Sequence, residues 1–345
     1  MNIKEAIKKI VCRDDLTEKD AYMVFDRIMS GEAGDAQISA FITALRMKGE
    51  TVEEITGAVK VMRKKALKIK IGGKQTLIDT CGTGGTGIDT FNISTCAAFV
   101  LAACGARVVK HGNRAASSHC GSADVLEALG VKIDVPVAVT EECIEKINIG
   151  FLFAPFFHSA MKYAAPVRTQ IGIRTIFNIL GPLSNPAFSC AQKGTACQVI
   201  GVYDGCLTEV MAKVLKRLGA KHAFIVHGSD GLDEVTITGE TMVSELKDGK
   251  IKSYVVTPAV FGIKKAPLKS IKGGSSKENA KIIQDILRGE KGAKRDIVLM
   301  NAAMALVAAG GAEDFKKAAA IAASAIDSGR ALEKLQRLIE MTNRK

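Results

Sequence analysis

Apolar residues near the start of the chain fall at helical spacing: Ile3, Ala6, Ile7, Ile10 and Val11 occupy i, i+3, i+4, i+7 and i+8, one face of a 3.6-residue period. Thr17 with Asp20, and Thr51 with Glu54, have the spacing of capping boxes and mark two further helix starts. Ile38, Phe41, Ile42 and Leu45 stripe the third helix. Residues 1–70 are therefore predicted as helices only, a small unit in which no chemistry is visible.

From Gln75 the period changes. Short β-branched runs at Thr76–Thr80, Arg107–Lys110, Gln198–Tyr203 and Ala223–Val226 predict strands, and Ile93–Cys104, Ser122–Leu129 and Gly205–Leu218 predict helices. Such alternation implies a largely parallel sheet covered on both faces. Residues from Phe156 to Leu180 read as helical again, with Pro166 near one helix start, and Gly181-Pro182-Leu183-Ser184-Asn185-Pro186 predicts a turn-rich break. The remainder predicts a strand at Ser253–Pro258, a basic loop to Gly274 and three helices beginning near Ser275, Lys294 and Ala312. No internal repeat or low-complexity segment interrupts this order.

The length, 345 residues, accommodates about two domains at roughly 150 residues each. They are predicted as a helical domain over 1–70, joined by the helices of about 156–190, and an α/β domain over 75–345. An apolar content of 47% excludes a disordered chain. The nine cysteines, an odd number, include no C-x-x-C pair and no zinc-type Cys/His spacing, so reduced thiols in a cytosol are expected. The opening MNIKEAIKKIVCRDD has no apolar stretch of the signal-peptide kind, and the most apolar runs, around Cys96–Ala106 and Ile297–Ala309, fall short of the ~20 residues of a membrane span. A soluble cytoplasmic protein with no membrane partner is expected. The balance of 48 Lys+Arg against 36 Asp+Glu, net +12, is dispersed, with no cationic run longer than Arg63-Lys64-Lys65. It reads as solubilising charge, not as a nucleic-acid footprint.

Chemistry is concentrated in three loops. Leu77 to Gly87 runs from a strand into a segment with four glycines, after which Asn92-Ile93-Ser94-Thr95 opens an apolar helix. Glycines let backbone N–H groups approach an anion, and a helix N-terminus adds free N–H groups and a positive dipole end. A packing turn with Asn92 or Ser94 as N-cap is the alternative. The spacing fits neither the dinucleotide fingerprint nor the P-loop. The next strand end, Val108 to Ser118 followed by Gly121-Ser122-Ala123-Asp124, gathers Lys110, His111, Asn113, Arg114 and three serines. Two polar loops at strand C-terminal ends would face one crevice. The third, His227 to Glu234, places Asp233 beside Glu234, a pair suited to Mg²⁺, which takes one or two protein carboxylates and completes its shell with water and phosphate.

These segments also carry a resemblance. Gly82-Thr83-Gly84-Gly85, Asn92-x-Ser94-Thr95, Lys110-His111-Gly112-Asn113-Arg114-x-x-Ser117-Ser118, Phe153-Ala154-Pro155-x-Phe157-His158, Pro166-Val167-Arg168, Arg174-Thr175-x-Phe177-Asn178-x-Leu180-Gly181-Pro182-Leu183-x-Asn185-Pro186 and Asp230-Gly231-Leu232-Asp233-Glu234 appear in order over essentially the whole chain. The set resembles the anthranilate phosphoribosyltransferases. The resemblance implies an α/β fold in which a small helical domain joins a larger domain with a mainly parallel sheet, of the class shared with pyrimidine nucleoside phosphorylases. It implies transfer of the phosphoribosyl group of 5-phosphoribosyl 1-diphosphate to anthranilate in tryptophan biosynthesis, Mg²⁺ as cofactor, and a homodimer through the helical domain. Carried over by position, Gly82, Gly85, Thr86, Thr90, Asn92, Ser94, Thr95, Lys110, His111, Gly112, Asn113, Arg114, Ser117, Ser118 and Ser122 would bind the diphosphate substrate. Gly82, Asn113 and Arg168 would bind anthranilate, and Ser94, Asp233 and Glu234 the metal.

An aromatic amine is neutral and nucleophilic at pH 7, so positioning and neutralisation of the leaving group would carry the catalysis, with no nucleophile or acid-base residue assigned. His111 and His158 have ordinary roles open to them, a strand-end hydrogen bond and a packed helix position. Spacing alone makes Arg168 a helix-surface salt bridge, whereas the resemblance makes it a fork for a carboxylate. Thr86 departs from the family pattern, which has Asp there. Two other classes share the architecture: a pyrimidine nucleoside phosphorylase, which would lack the Lys110–Ser118 and Asp233-Glu234 motifs in this form, and a nucleic-acid-binding relative, which would have lost the anthranilate and metal residues.

Overall fold

The computed structural model describes residues 1–73, 75–115, 119–190 and 195–344. Among these, seven strands form one sheet: β1 (Leu77–Gly82), β2 (Arg107–Gly112), β3 (Ile149–Phe153), β4 (Ala196–Gly201), β5 (His222–Gly228), β6 (Thr241–Lys247) and β7 (Lys250–Val256). Their order is β3-β2-β1-β4-β5-β6-β7. β1 to β5 run parallel, and β6 and β7 add an antiparallel hairpin at one edge.

Alternate strand residues feed two cores, as the two-residue strand period requires. Cys197, Val199, Phe224 and Val226 pack with the helices Ile93–Ala103 and Ala293–Ala308. Ile200, Ala223 and Ile225 pack on the opposite face with Met211 and Leu215 of the helix Leu207–Arg217 and with the helices Glu18–Ser30 and Val52–Lys65. Val167, Ile176 and Leu180, from the helices Ala165–Ile171 and Ile176–Leu183, belong to that second core too. The helix Ile93–Ala103 is buried at ten of its eleven positions. Its many alanines and one Ser allow close approach of sheet and neighbouring helices, so its position is tightly fixed, and with it the loop that enters it.

Several predicted elements differ in detail. Thr51 and Glu54 form the full reciprocal cap, but Thr17 only accepts from the Asp20 amide while its hydroxyl donates to the Asp20 carboxylate; Asp is one methylene shorter than Glu and does not reach back. The predicted break at 181–186 starts late, since the helix runs through Gly181-Pro182 to Leu183. Gln198 Nε2 donates to the Pro182 carbonyl at 2.9 Å and Arg63 Nε to that of Leu183 at 2.8 Å, so the carbonyls of the last turn are satisfied from outside. β4 ends at Gly201 rather than Tyr203. β7 begins at Lys250, ahead of the predicted Ser253, and Pro258, which has no N–H to offer a ladder, opens a 3₁₀ turn instead of closing the strand. The helix predicted near Ala312 begins at Phe315 behind an Asp314 cap. β3, β6 and the helix Val137–Ile147 were not among the predicted elements, and the C-terminal stretch holds four helices, not three, the last at Arg330–Thr342 behind Gly329 with φ of 76°. No helix among the described residues is long and apolar enough to cross a membrane.

Candidate active site

β1 lies between β2 and β4. The chain steps from β1 to β2 and β3 on one side and returns to β4 on the other, so the strand order reverses there and leaves a crevice at the carboxyl ends of the strands. The loop after β5 lies across this reversal. A Cβ on Gly82 would stand 2.2 Å from Asp233 Oδ2, and one on Gly201 would stand 1.6 Å from the Asp233 carbonyl oxygen. Glycine at the ends of β1 and β4 is what lets Asp233 sit between them.

From this seat the Asp233 carboxylate accepts the Gly84 amide at 2.8 Å, and Glu234 Oε1 accepts the Ser94 amide at 3.2 Å. Lys110, buried at the end of β2, donates to the Thr80 carbonyl at 2.6 Å and approaches Ser94 Oγ at 3.5 Å. Burial raises the Asp233 pKa. Burial and the neighbouring Asp233 together push Glu234 up to about 8, with Lys110 opposing. Two carboxylates and a serine hydroxyl thus crowd together with the single ammonium of Lys110 to offset them, and a divalent metal would relieve the remaining repulsion. This donor set, two carboxylates and a hydroxyl, fits an ion that takes few protein ligands and leaves the rest of its shell to phosphate and water, as Mg²⁺ does.

The glycine loop is arranged for an anion. Gly84, Gly85 and Gly87 have φ of 66°, 75° and 72°, a conformation that glycine adopts without strain. Thr86 Oγ1 accepts the Ile88 amide at 3.2 Å. Asn92 precedes the helix as N-cap but makes no side-chain cap bond; its amide donates to the Cys120 carbonyl and its oxygen accepts from Asn279. Thr95 Oγ1 is buried with no partner, an orphan hydroxyl in the first helical turn. Thr90 pairs with Lys272. Asp89, three residues beyond Thr86, lies 3.5 Å from His119 across the neighbouring loop.

On the second loop, the Asn113 carbonyl accepts from Ser122 Oγ and Ala123 N. Gly112 lies against Ser122 and Phe151 with no room for a Cβ. Arg114 is paired with Asp124 and Glu127 at the surface. Ser117 and Ser118 lie outside the described residues. His111 and His158 are buried with rings 5.1 Å apart, and Nε2 of each has no partner. Burial drives both pKa values down, His158 to about 4, so the pair is neutral at pH 7. Arg168 stands on the Phe177 ring at 5.3 Å, half-buried. Its guanidinium makes no hydrogen bond or ion pair among the described residues, which removes the surface salt bridge that spacing alone suggests.

Beneath the site runs a network that sequence reasoning missed. The buried Asp79 carboxylate accepts from the His111 amide and from Asn185 Nδ2, which also donates to the Val109 carbonyl. This ties β1, β2 and the Leu180–Pro186 segment together. The available signal was a lone Asp inside an apolar strand, a position that only a partnered charge occupies.

Residues 74–332 match the glycosyl transferase family a/b domain, and residues 4–66 match the helical bundle domain of the glycosyl transferase family. Anthranilate phosphoribosyltransferases from Citrifermentans bemidjiense and Geobacter sulfurreducens are each 54% identical to this chain, covering 99% of both partners. The chain belongs to the anthranilate phosphoribosyltransferase family. Among solved structures, the anthranilate phosphoribosyltransferase of Thermus thermophilus superposes with a TM-score of 0.91 at 41% identity, over 98% of this chain and 99% of that one. The Saccharomyces cerevisiae anthranilate phosphoribosyltransferase, solved in complex with PRPP and Mg, gives 0.88 at 29% identity over 99% and 97%. The α/β architecture with an N-terminal helical part is thus the family's own.

Proposed function

We propose that this protein transfers the 5-phosphoribosyl group of 5-phosphoribosyl 1-diphosphate to the amino group of anthranilate, releasing pyrophosphate. The observation that carries the reading is the seat of Asp233 and Glu234 against Gly84 and Ser94, with Lys110 alongside, at the point where the strand order reverses. The family relatives bearing that name, and the yeast structures with PRPP and Mg or with 4-fluoroanthranilate, support it.

In this reading the glycine-loop amides, Thr86, Thr90, Asn92 and the Ser94-Thr95 helix start take the diphosphate and ribose. The β2 loop, from Lys110 through Asn113 and Arg114 to Ser122, closes the other side. Ser94, Asp233 and Glu234 would hold Mg²⁺, whose chemistry when bound is to neutralise the diphosphate as it leaves. Arg168 takes the anthranilate carboxylate in its fork, and Gly82 and Asn113 position the ring. The C1–N bond forms as the C1–O bond to pyrophosphate breaks, and the proton lost from nitrogen passes to solvent or to the departing pyrophosphate. His111 and His158, neutral and buried, supply no charge to this step and shape the wall. We assign the enzyme to the cytoplasm and to a homodimer through its helical layer, where Val11 and Met47 expose apolar side chains; the free thiols of the eight cysteines whose side chains are described accord with a reducing compartment.

The test is a pyrophosphate-release assay with the product identified by mass. One pyrophosphate per phosphoribosylated anthranilate is expected. Phosphorolysis of uridine or thymidine, with anthranilate untouched, would overturn the reading.

A further inference from the structure

Arg174 lies outside every group assigned above, yet it reaches the glycine loop. Its Nη1 donates to the Gly85 carbonyl at 3.2 Å, and its guanidinium lies 4.5 Å from the centre of the Tyr203 ring. No carboxylate pairs with it among the described residues. Tyr203 is itself tied to the same loop, since its amide donates to Thr83 Oγ1 at 3.0 Å while the Thr83 amide donates to the Gly201 carbonyl at 2.9 Å. The stretch 83–85 is therefore held from outside by β4, Tyr203 and Arg174.

The peptide joining Gly85 to Thr86 is planar and trans, so its C=O and N–H point in opposite directions. A carbonyl fixed on Arg174 obliges the Thr86 amide to point away from Arg174. Among the described residues that amide donates to nothing, and neither do those of Gly85 and Gly87. A flip of this peptide would turn ψ of Gly85, which resists little, together with φ of Thr86, and would present a carbonyl oxygen where a donor is needed. The Arg174 contact reinforces, from outside the loop, the preference of Thr86 for negative φ.

We infer that Arg174 is a positioning residue for the diphosphate: by holding the Gly85 carbonyl outward on a guanidinium stacked over Tyr203, it keeps the loop's free amides aimed at the anion. The inference rests on the function proposed above. Arg174 sits six positions after Arg168, in the connection that follows the helix Ala165–Ile171 carrying Arg168, so one short segment would orient the acceptor through one arginine and the donor loop through the other.

The test is calorimetric titration of 5-phosphoribosyl 1-diphosphate with Mg²⁺ present, alongside steady-state kinetics, on wild type, Arg174→Ala and Arg174→Lys. Arg174→Ala is expected to weaken diphosphate binding about tenfold, the scale of one charge-assisted hydrogen bond. The Michaelis constant for anthranilate and the melting temperature should stay near wild type, and Arg174→Lys, which keeps a donor but loses the planar stack, should recover part of the loss. Unchanged diphosphate affinity in an active Arg174→Ala enzyme, or equal loss for both substrates, would overturn the positioning role alone. A wild-type protein that binds no diphosphate would overturn the function on which it rests.

Discussion

Arg168 holds a half-buried charge over the Phe177 ring with no ion pair among the described residues, and burial lowers its pKa. A guanidinium in that condition gains most from an arriving carboxylate, because a charged hydrogen bond contributes about 1.5–3 kcal/mol. Arg168→Ala is expected to raise the Michaelis constant for anthranilate by roughly one to two decades, with the diphosphate constant nearly unchanged, as measured by varying each substrate in turn. His158 gives a prediction of a different kind. Its folded pKa of about 4 lies below the ordinary 6.5, so as pH falls through 6.5 the unfolded chain takes up a proton that the folded one refuses, and stability declines toward pH 4. Urea midpoints at pH 7 and pH 5 should show that decline, and His158→Gln should reduce it. The sequence made the residues of the three loops visible because glycine, hydroxyl and charge cluster at strand ends. It did not reveal Arg168 by spacing, since helical periodicity does not distinguish a surface arginine from one tucked against an aromatic ring.

At the scale of elements, β1 and β4 matter because their last residues have no side chain. Gly201→Ala would drive a Cβ into the Asp233 backbone, which has no flexible end to give way. The expected cost is at least the roughly 1–3 kcal/mol of an overpacked core, read as a lower urea midpoint, together with loss of turnover because the carboxylate pair is displaced. The sheet's parallel centre was legible from its β-branched runs. β6 and β7 were less so, although Asp248-Gly249 between them is a two-residue hairpin turn with φ of 47° and 77°, the strongest short-range signal for such a turn. β3, with Ile149, Phe151 and Leu152 buried, is a short apolar run that periodicity alone does not separate from a buried helix. The continuation of the helix through Gly181-Pro182 was illegible for another reason: contacts from Arg63 and Gln198, distant in sequence, satisfy carbonyls that local propensity leaves exposed.

The molecule as a whole brings its candidate site residues together where two cores and one strand reversal meet. Its net charge of +12 suits an anionic substrate as well as solubility. What the composition could not show is that Asp233 and Glu234, far along the chain, come to rest on the amides of Gly84 in the glycine loop and Ser94 at the helix start. The most direct measurement is the loss of anthranilate fluorescence during Mg²⁺ titration with 5-phosphoribosyl 1-diphosphate present, for wild type and for the Asp233→Ala, Glu234→Ala double variant. The wild type should consume anthranilate only when diphosphate and Mg²⁺ are both supplied, and the double variant, folded by circular dichroism, should show no Mg²⁺-dependent turnover. Equal Mg²⁺ dependence in the two proteins, or a wild type indifferent to the diphosphate, would contradict the assignment.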